Sequence, residues 1–528
     1  MKLRIYSILF IAAVYGAGCK KTLDVSPYNG VPDATAYSTP AKIESSINGV
    51  YDAAQSGFYA GGAVRGYPFG AANIEQGDMR GEDMVNDQLF YQVTYEATYT
   101  STSANQQYMF ETLYSLINKA NLAIDGVTSA VSAGIITDAV GKQYLGECRF
   151  LRAFAHHELV INFARPYLAG NGADTGIIYR NFAVNSDSSI AAAKKLKRTM
   201  VSDNYTKILE DLDYAEVNLP ATSAPKTFRA SKAAAIALKM RAKLHMGNWA
   251  GVITEGAKLV PATVDPTQPT SVTSPIGSWA LLADPNGPFI SPYQSAESIF
   301  SIKNDATDNG GVNGALPNML GNPATGGRGL VKISPIIYNL PAWTCDDKRR
   351  GLMVNAGSGA YYSSKYKDPT TSSDAAPQIR YAEVLLMLAE AEARNATVVS
   401  TRALDLLNVV RNRSLASPTT QQYLITNFAT KNSLIQAILD ERRIEFLGEG
   451  KRWSDIHRLA TDADFSPGGI PAKIGTGGTS AAQFSCGAGN STYSASLAAI
   501  PYSNYKFIWP IPLSEIQQNP NFSQNPKY

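Results

Sequence analysis

Charge, histidine and tryptophan are all scarce in this sequence. Only 17% of the 528 residues are charged, the formal net charge is +3 at pH 7, and there are 4 histidines and 5 tryptophans. A chain so weakly charged presents no broad basic face, so we do not expect nucleic acid as a partner. With so few histidines, few residues are available to form a zinc site or a Ser/His/Asp triad.

The common phosphate-binding, dinucleotide-binding and nucleophile-elbow motifs are missing as well. The adjacent pair His156 and His157 is the most tempting catalytic feature, but neighbouring helical residues point about 100° apart. His157-Glu158 also has no second histidine four residues on, which removes the zinc-protease interpretation. We therefore expect structural histidines, no catalytic residues, no metal ion and no cofactor.

The densest charged run covers residues 440–453. Its Glu441 and Glu445 could be imagined as an acid/base pair of a glycoside hydrolase. The interleaved arginines argue otherwise, because they would lower carboxylate pKa values whereas a general acid needs a raised one. We expect Arg443 and Glu445 to pair with each other within the helix array.

The cysteines do not predict a disulfide framework. Cys148, Cys345 and Cys486 are an odd set in a large chain, and no Cys-x-x-Cys pair occurs. Buried, inert thiols are the expected state.

The N-terminus has the pattern of an export signal. Lys2 and Arg4 precede an apolar run, residues 5–15, of about 11 residues, too short for a membrane span of roughly 20. Gly16-Ala17-Gly18-Cys19 resembles the bacterial lipoprotein box, although Leu is usual where Gly16 stands. We predict a signal peptide at residues 1–18 and a tether at 19–40 with lipid on Cys19; the alternative is an ordinary secreted protein.

Helical periodicity dominates residues 41–56, 104–260 and 379–460. Two helices, Ser231 to Met246 and Trp249 to Val260, are joined by a short Gly-Asn turn and resemble a tetratricopeptide pair. Loop-rich inserts at 57–103 and 261–378 separate the three helical ranges, and a third insert follows them at 461–528. The predicted fold is mainly α, a single domain at 41–528 with a scaffold of about four helix pairs and large irregular inserts.

Aromatic residues in the inserts are the positive functional signal, with 28 Tyr in the chain. A ring can stack on a pyranose at about 1 kcal/mol per contact. A ring can equally pin its loop to the scaffold. The candidate ligand-binding residues are Tyr67, Phe90, Tyr91, Trp279, Tyr293 and Trp343. A calcium site at residues 305–309 stays open, since such Asp/Asn-rich pieces are more often turns.

Several stretches resemble the SusD/RagB family of outer-membrane nutrient-binding lipoproteins from Bacteroidetes. In chain order, the similar stretches are Ser46 to Ala53, Leu113 to Asn121, Glu147 to Phe154, Arg380 to Ala391, Leu407 to Arg413, Glu441 to Leu459, and the tail from Trp509 to Tyr528.

The resemblance implies a SusD-like tetratricopeptide scaffold and a surface-exposed protein of the outer membrane, lipidated at Cys19. It implies a binding protein, not an enzyme, that sits over a SusC-like TonB-dependent transporter and delivers an oligosaccharide or polysaccharide for uptake. It transfers no ligand residues, because the shared stretches fall on scaffold helices. The alternatives are a peptide-binding, RagB-like member, a secreted glycoside hydrolase, and a lid without ligand affinity.

Overall fold

A computed structural model describes residues 33–356 and 360–528. The predicted signal peptide, the lipid site at Cys19 and most of the predicted tether lie outside these residues. The helices of eight residues or more are α1 Pro40–Gln55, α2 Ala71–Met79, α3 Ala104–Ser132, α4 Asp138–Phe163, α5 Val201–Asn218, α6 Lys232–His245, α7 Trp249–Leu259, α8 Tyr381–Asn395, α9 Thr401–Ser414, α10 Lys431–Glu445 and α11 Arg452–Leu459.

Within residues 33–356 and 360–528 the strands are few and short, and they form two-stranded sheets. They are β1 Met84–Asn86, β2 Ser298–Ile302, β3 Val331–Ile333, β4 Met353–Asn355, β5 Tyr361–Ser363, β6 Ala376–Arg380, β7 Gly469–Ile470 and β8 Ile500–Pro501. The pairs β1/β3, β2/β6, β4/β5 and β7/β8 are all antiparallel. Shorter α-helices are Asp33–Ala36, Gln92–Tyr95, Tyr167–Gly170, Asp187–Ala193, Leu316–Leu320, Pro335–Tyr338, Pro418–Gln421 and Leu513–Gln518.

The long helices stack in sequence order. Helix α1 packs on α3, α4 on α5, α6 on α7 and α8 on α9, and each pair packs on the next through α3 with α4, α5 with α6, and α7 with α8. Helix α10 closes the array against α8. The predicted mainly α fold of four helix pairs is therefore confirmed. No helix within the described ranges is long and apolar enough to cross a membrane.

Side-chain caps explain where many of these helices begin. The hydroxyl or amide oxygen of the residue before the helix accepts a hydrogen bond from a backbone N–H of the first turn, which would otherwise lack a partner. These capping residues are Thr39, Thr137, Ser231, Asn248, Ser400 and Thr430. Each cap is a local feature, because the capping residue lies directly before the helix that it caps.

Helix α2 lies in the first insert, where the sequence predicts a long loop region. All of its residues except Asn73 are buried, including the polar Glu75, Gln76 and Asp78. Because the helix is covered on every side, it has no polar stripe alternating with an apolar one. Periodicity, the signal used to predict helices, therefore could not detect it.

Buried ion pairs fasten the inserts to the helical frame. Arg443 of α10 reaches into the first insert, where its Nε donates to Asp83 Oδ2 at 3.0 Å. Glu445 accepts from Arg413 at 2.5 Å and from Arg349 of the second insert at 3.0 Å. The prediction that Arg443 pairs with Glu445 is wrong: Arg443 pairs with an acid of the first insert, and Glu445 pairs with arginines of α9 and of the second insert.

A disulfide between Cys345 and Cys486 joins the second insert to the C-terminal insert. The expectation that these cysteines are free thiols is wrong. Their 141-residue separation gives no local sign of pairing, and only the folded chain brings their Cα atoms to 5.7 Å. Cys148 is free and buried, as expected, and burial raises the pKa of its thiol.

Candidate ligand-binding site

Four of the six predicted binding rings lie in the interior. The exposed fractions are 0% for Tyr67 and 1% for Tyr91, Trp279 and Trp343. A ring without an accessible face cannot stack on a ligand in this conformation, so these four pin their loops to the frame, the other role that the sequence allows. Trp279, for example, packs beneath Lys226, whose Nζ lies 4.5 Å from the ring centroid.

Phe90 and Tyr293 are the two predicted rings that stay half-buried. Tyr293 adopts a left-handed backbone, φ 61°, and burial raises the pKa of its hydroxyl to about 12. Phe90 lies with a group of polar and aromatic side chains from three separate segments. It is therefore the predicted residue around which a site can be built.

Strand pairing brings Phe90 next to Arg328. Asn86 at the end of β1 pairs with Val331 at the start of β3, and the N–H of Asp87 donates to Leu330 O at 2.9 Å. The chain leaving β1 thus runs beside the chain entering β3. As a result, the Arg328 guanidinium carbon lies 5.2 Å from the centroid of the Phe90 ring.

A contact between two glycines brings Arg65 to the same ring. Gly66 has a φ of +73°, and a Cβ on it would lie 2.5 Å from the carbonyl oxygen of Gly314. Only glycine allows the two backbones to pack this closely. Arg65 is thereby placed with its guanidinium carbon 4.5 Å from the Phe90 centroid and 5.0 Å from that of Tyr59.

We refer to the group Tyr59, Arg65, Phe90 and Arg328 as the Phe90 cleft. All four side chains are half-buried. Two large apolar side chains next to them in the sequence are exposed, Phe58 at 38% and Leu89 at 62%. Leu89 also has a left-handed backbone, φ 59°, a strained state for a residue with a side chain. Exposed apolar side chains and backbone strain both occur at binding surfaces.

Buried polar atoms without partners lie close to the cleft. Among the described residues, neither carboxyl oxygen of Glu75 has a hydrogen-bond partner, nor do the Tyr91 hydroxyl and the Arg65 Nε and Nη1. Burial raises the pKa of Glu75 well above its ordinary value, and the nearby charge of Arg328 offsets this only in part. Burial therefore disfavours the charged form of Glu75.

A second aromatic group lies beyond the other end of β3. The Tyr338 and Tyr361 centroids are 4.8 Å apart, and Phe484 lies 5.2 Å and 4.6 Å from them. All three rings are half-buried, and Phe484 is two residues from the disulfide-bonded Cys486. We refer to these three rings as the Tyr338 cluster; they offer a further aromatic surface.

The histidines and the acidic run offer no catalytic arrangement. His156, His157, His245 and His457 are at most 2% exposed. Burial lowers the pKa of His157 and of His457 to about 3. The His156 ring is held by Arg152 O at 2.8 Å and by the Arg180 N–H at 3.1 Å, as a structural role requires.

The carboxylates suggested as an acid/base pair are both buried among arginines. Burial alone would raise the pKa of Glu445, but Arg413, Arg380 and Arg349 hold it well below its ordinary value. Glu441 accepts from Arg349 at 2.5 Å. The predicted direction of the shift for Glu445 is confirmed, and the group is unsuited to act as a general acid.

A cavity of about 390 Å³ lies between α1 and residues 302–308. Arg229 on the wall of this cavity is paired with Glu147 at 2.5 Å and with Glu44 at 2.7 Å.

Asp305, the first residue of the suggested calcium loop, accepts a hydrogen bond from the Thr307 N–H at 2.9 Å and pairs with Lys303 at 2.8 Å. These are the contacts of a turn.

Sequence reasoning missed Arg65, Arg328 and Tyr59 and found only Phe90 of the cleft. A usable signal existed, because each arginine stands in a glycine-rich segment of an insert, Gly61 to Gly66 and Gly326 to Gly329. Glycines at that density mark close backbone approaches, where single side chains become well placed. Their convergence on one ring was not visible in the sequence.

Two family models match the chain in different parts. The one described as "SusD family" matches residues 344–528, and the one described as "Starch-binding associating with outer membrane" matches residues 21–244. Two proteins of Formosa agariphila are similar. SusD-like protein P38 is 24% identical, over 83% of this chain and 88% of its own, and SusD-like protein P2 is 26% identical, over 88% and 93%.

Solved structures share the fold over nearly the whole length. A SusD superfamily protein from Bacteroides fragilis is 26% identical with a TM-score of 0.73, covering 92% of this chain and 99% of that one. A protein from Bacteroides vulgatus described as a putative sugar-binding protein is 21% identical with a TM-score of 0.68, covering 93% and 99%. Taken with the scaffold of four helix pairs, these likenesses show that the chain belongs to the SusD/RagB family.

Proposed function

We propose that this protein is a lipid-anchored glycan-binding protein of the outer membrane, which captures oligosaccharide at the cell surface and delivers it, uncleaved, to a SusC-like TonB-dependent transporter. The observation that carries the proposal is the Phe90 cleft, where half-exposed rings and hydrogen-bond donors meet on loops fastened to a rigid frame. Rings supply stacking surface and guanidiniums supply directional donors, which is the combination that a saccharide requires.

The family supports this assignment. The model that matches residues 21–244 describes starch-binding proteins associating with the outer membrane. The similar protein from Bacteroides vulgatus is described as a putative sugar-binding protein. Lipid attachment at Cys19 and the transporter as partner are part of the proposal and rest on the family resemblance.

A glycan array probed with the purified full-length protein, followed by calorimetry on the saccharides it retains, tests the proposal. Phe90→Ala is expected to weaken binding about fivefold, because a stacked ring contributes about 1 kcal/mol. Phe428→Ala removes a half-buried ring from a loop on the helical frame and serves as the matched control, with unchanged affinity expected.

Other outcomes of these binding experiments would each lead to a different conclusion about the site or the function. Loss of binding in Phe484→Ala but not in Phe90→Ala would move the site to the Tyr338 cluster. Binding of oligopeptides and of no saccharide would favour a peptide-binding member of the family. Release of new reducing ends from a retained polysaccharide would contradict a purely binding role and favour the hydrolase.

A further inference from the structure

The two arginines of the Phe90 cleft have no acidic partner. Within residues 33–356 and 360–528, no carboxylate lies within ion-pair distance of Arg65 or Arg328. Their guanidinium carbons are 4.5 Å and 5.2 Å from the centroid of one ring, so they can be no further apart than the sum of those distances. Two like charges held this close repel each other unless an anion lies near them.

Elsewhere among the described residues, many arginines are matched with acids, and others, such as Arg80 and Arg198, donate to amide or backbone carbonyl oxygens. Arg229 pairs with Glu147, Arg443 with Asp83 and Arg452 with Glu82. A guanidinium removed from water is normally stabilised in this way. Among the described residues, Arg65 Nε and Nη1 have neither kind of partner.

Glu75 is the acidic residue whose carboxyl group interacts electrostatically with Arg328, but it does not supply the missing anion. It is 1% exposed and forms no ion pair with either arginine among the described residues. Burial raises the pKa of Glu75 well above its ordinary value, which disfavours the charged form. The Tyr91 hydroxyl is likewise buried without a hydrogen-bond partner among the described residues.

We propose that the saccharide bound at the Phe90 cleft is anionic, a uronic acid or a sulfated sugar whose carboxylate or sulfate lies between Arg65 and Arg328. This inference rests on the proposed function and names its substrate class. A guanidinium presents paired N–H donors in the geometry of a carboxylate or sulfate edge, and such charge-assisted bonds are the strong ones. A neutral sugar would leave the repulsion between the arginines uncompensated.

Calorimetry with matched ligands tests the inference. An oligogalacturonate is compared with the same oligosaccharide after chemical reduction of its carboxyl groups to neutral alcohols, and a sulfated galactan oligosaccharide is compared with its desulfated form. We expect each anionic ligand to bind at least about tenfold more tightly than its neutral counterpart, as the loss of one charged hydrogen bond predicts. Raising the salt from about 0.05 M to about 0.3 M should weaken the anionic ligands selectively.

Protein variants locate the charge effect. Arg65→Gln and Arg328→Gln are each expected to weaken the anionic ligand about tenfold or more and to leave the neutral ligand nearly unchanged. Arg65→Lys, which keeps the positive charge but loses the paired N–H donors of the guanidinium, should retain part of the affinity. Arg149→Gln removes an arginine that lies over Tyr214 on the helical frame and is the matched control, with no effect expected. Thermal melts of all variants report folding.

The outcomes separate the inference from the proposed function. Equal affinity for the anionic and neutral forms, unaffected by either glutamine variant, would overturn the anionic class while glycan capture stands. Failure of every saccharide, including the full array, would overturn both. Preference for sulfate over carboxylate, or the reverse, would support the inference and choose between the two sources of charge.

Discussion

The disulfide between Cys345 and Cys486 yields a prediction whose magnitude follows from the number of residues between the two cysteines. Replacing both cysteines by Ser removes a cross-link between residues 141 positions apart. In the loop-closure model, such a link lowers the entropy of the unfolded chain enough to stabilise the fold by about 5 kcal/mol. At about 2.1 cal/mol/K per residue, a chain of about 500 residues unfolds with an entropy of about 1 kcal/mol/K, so Tm should fall by about 5 °C.

Differential scanning calorimetry of the wild type and the double variant, each with and without a thiol reductant, measures this change. Reductant should lower the wild-type Tm and leave the variant unaffected, which makes the variant its own control. Peptide mapping without reduction should recover the two cysteines in one linked fragment. A linked fragment with an unchanged Tm would refute the loop-closure reasoning, and two free thiols would refute the pairing itself.

Two further predictions concern Glu75 and Cys19. Because burial raises the pKa of Glu75 well above its ordinary value, the folded state keeps a proton that the unfolded state loses above about pH 4.5. Wild-type stability relative to Glu75→Gln should therefore fall by about 1.4 kcal/mol per pH unit from about pH 4.5 up to the raised pKa. Glu383→Gln, at a carboxylate paired with Arg241, should instead destabilise the protein at pH 7. Denaturant titrations at several pH values measure both effects. A stability difference between the wild type and Glu75→Gln that does not change with pH would contradict a raised pKa of Glu75. Cys19→Ser is expected to release the protein from the outer-membrane fraction, as immunoblots of separated fractions would show, and continued retention would contradict a lipid anchor.

The helical frame was predictable because its signals are local. The two helices around the Gly247-Asn248 turn were predicted at Ser231 to Met246 and Trp249 to Val260, and the structure has Lys232–His245 and Trp249–Leu259. An apolar stripe and a capping residue lie within a few residues of each other along the chain. The family resemblance has the same origin, since all of its shared stretches except the C-terminal tail fall mainly on long helices of the frame.

Tertiary structure alone decided which rings are available and which charges are matched. Trp279 and Phe90 are both aromatic residues of inserts, yet one is 1% exposed and the other is half-buried beside two arginines. Arg65, Phe90 and Arg328 meet because of a glycine contact and one strand pair that join distant parts of the chain. The sequence by itself determined the frame, through the short-range rules of helix formation, whereas the site depends on long-range packing that no local pattern encodes.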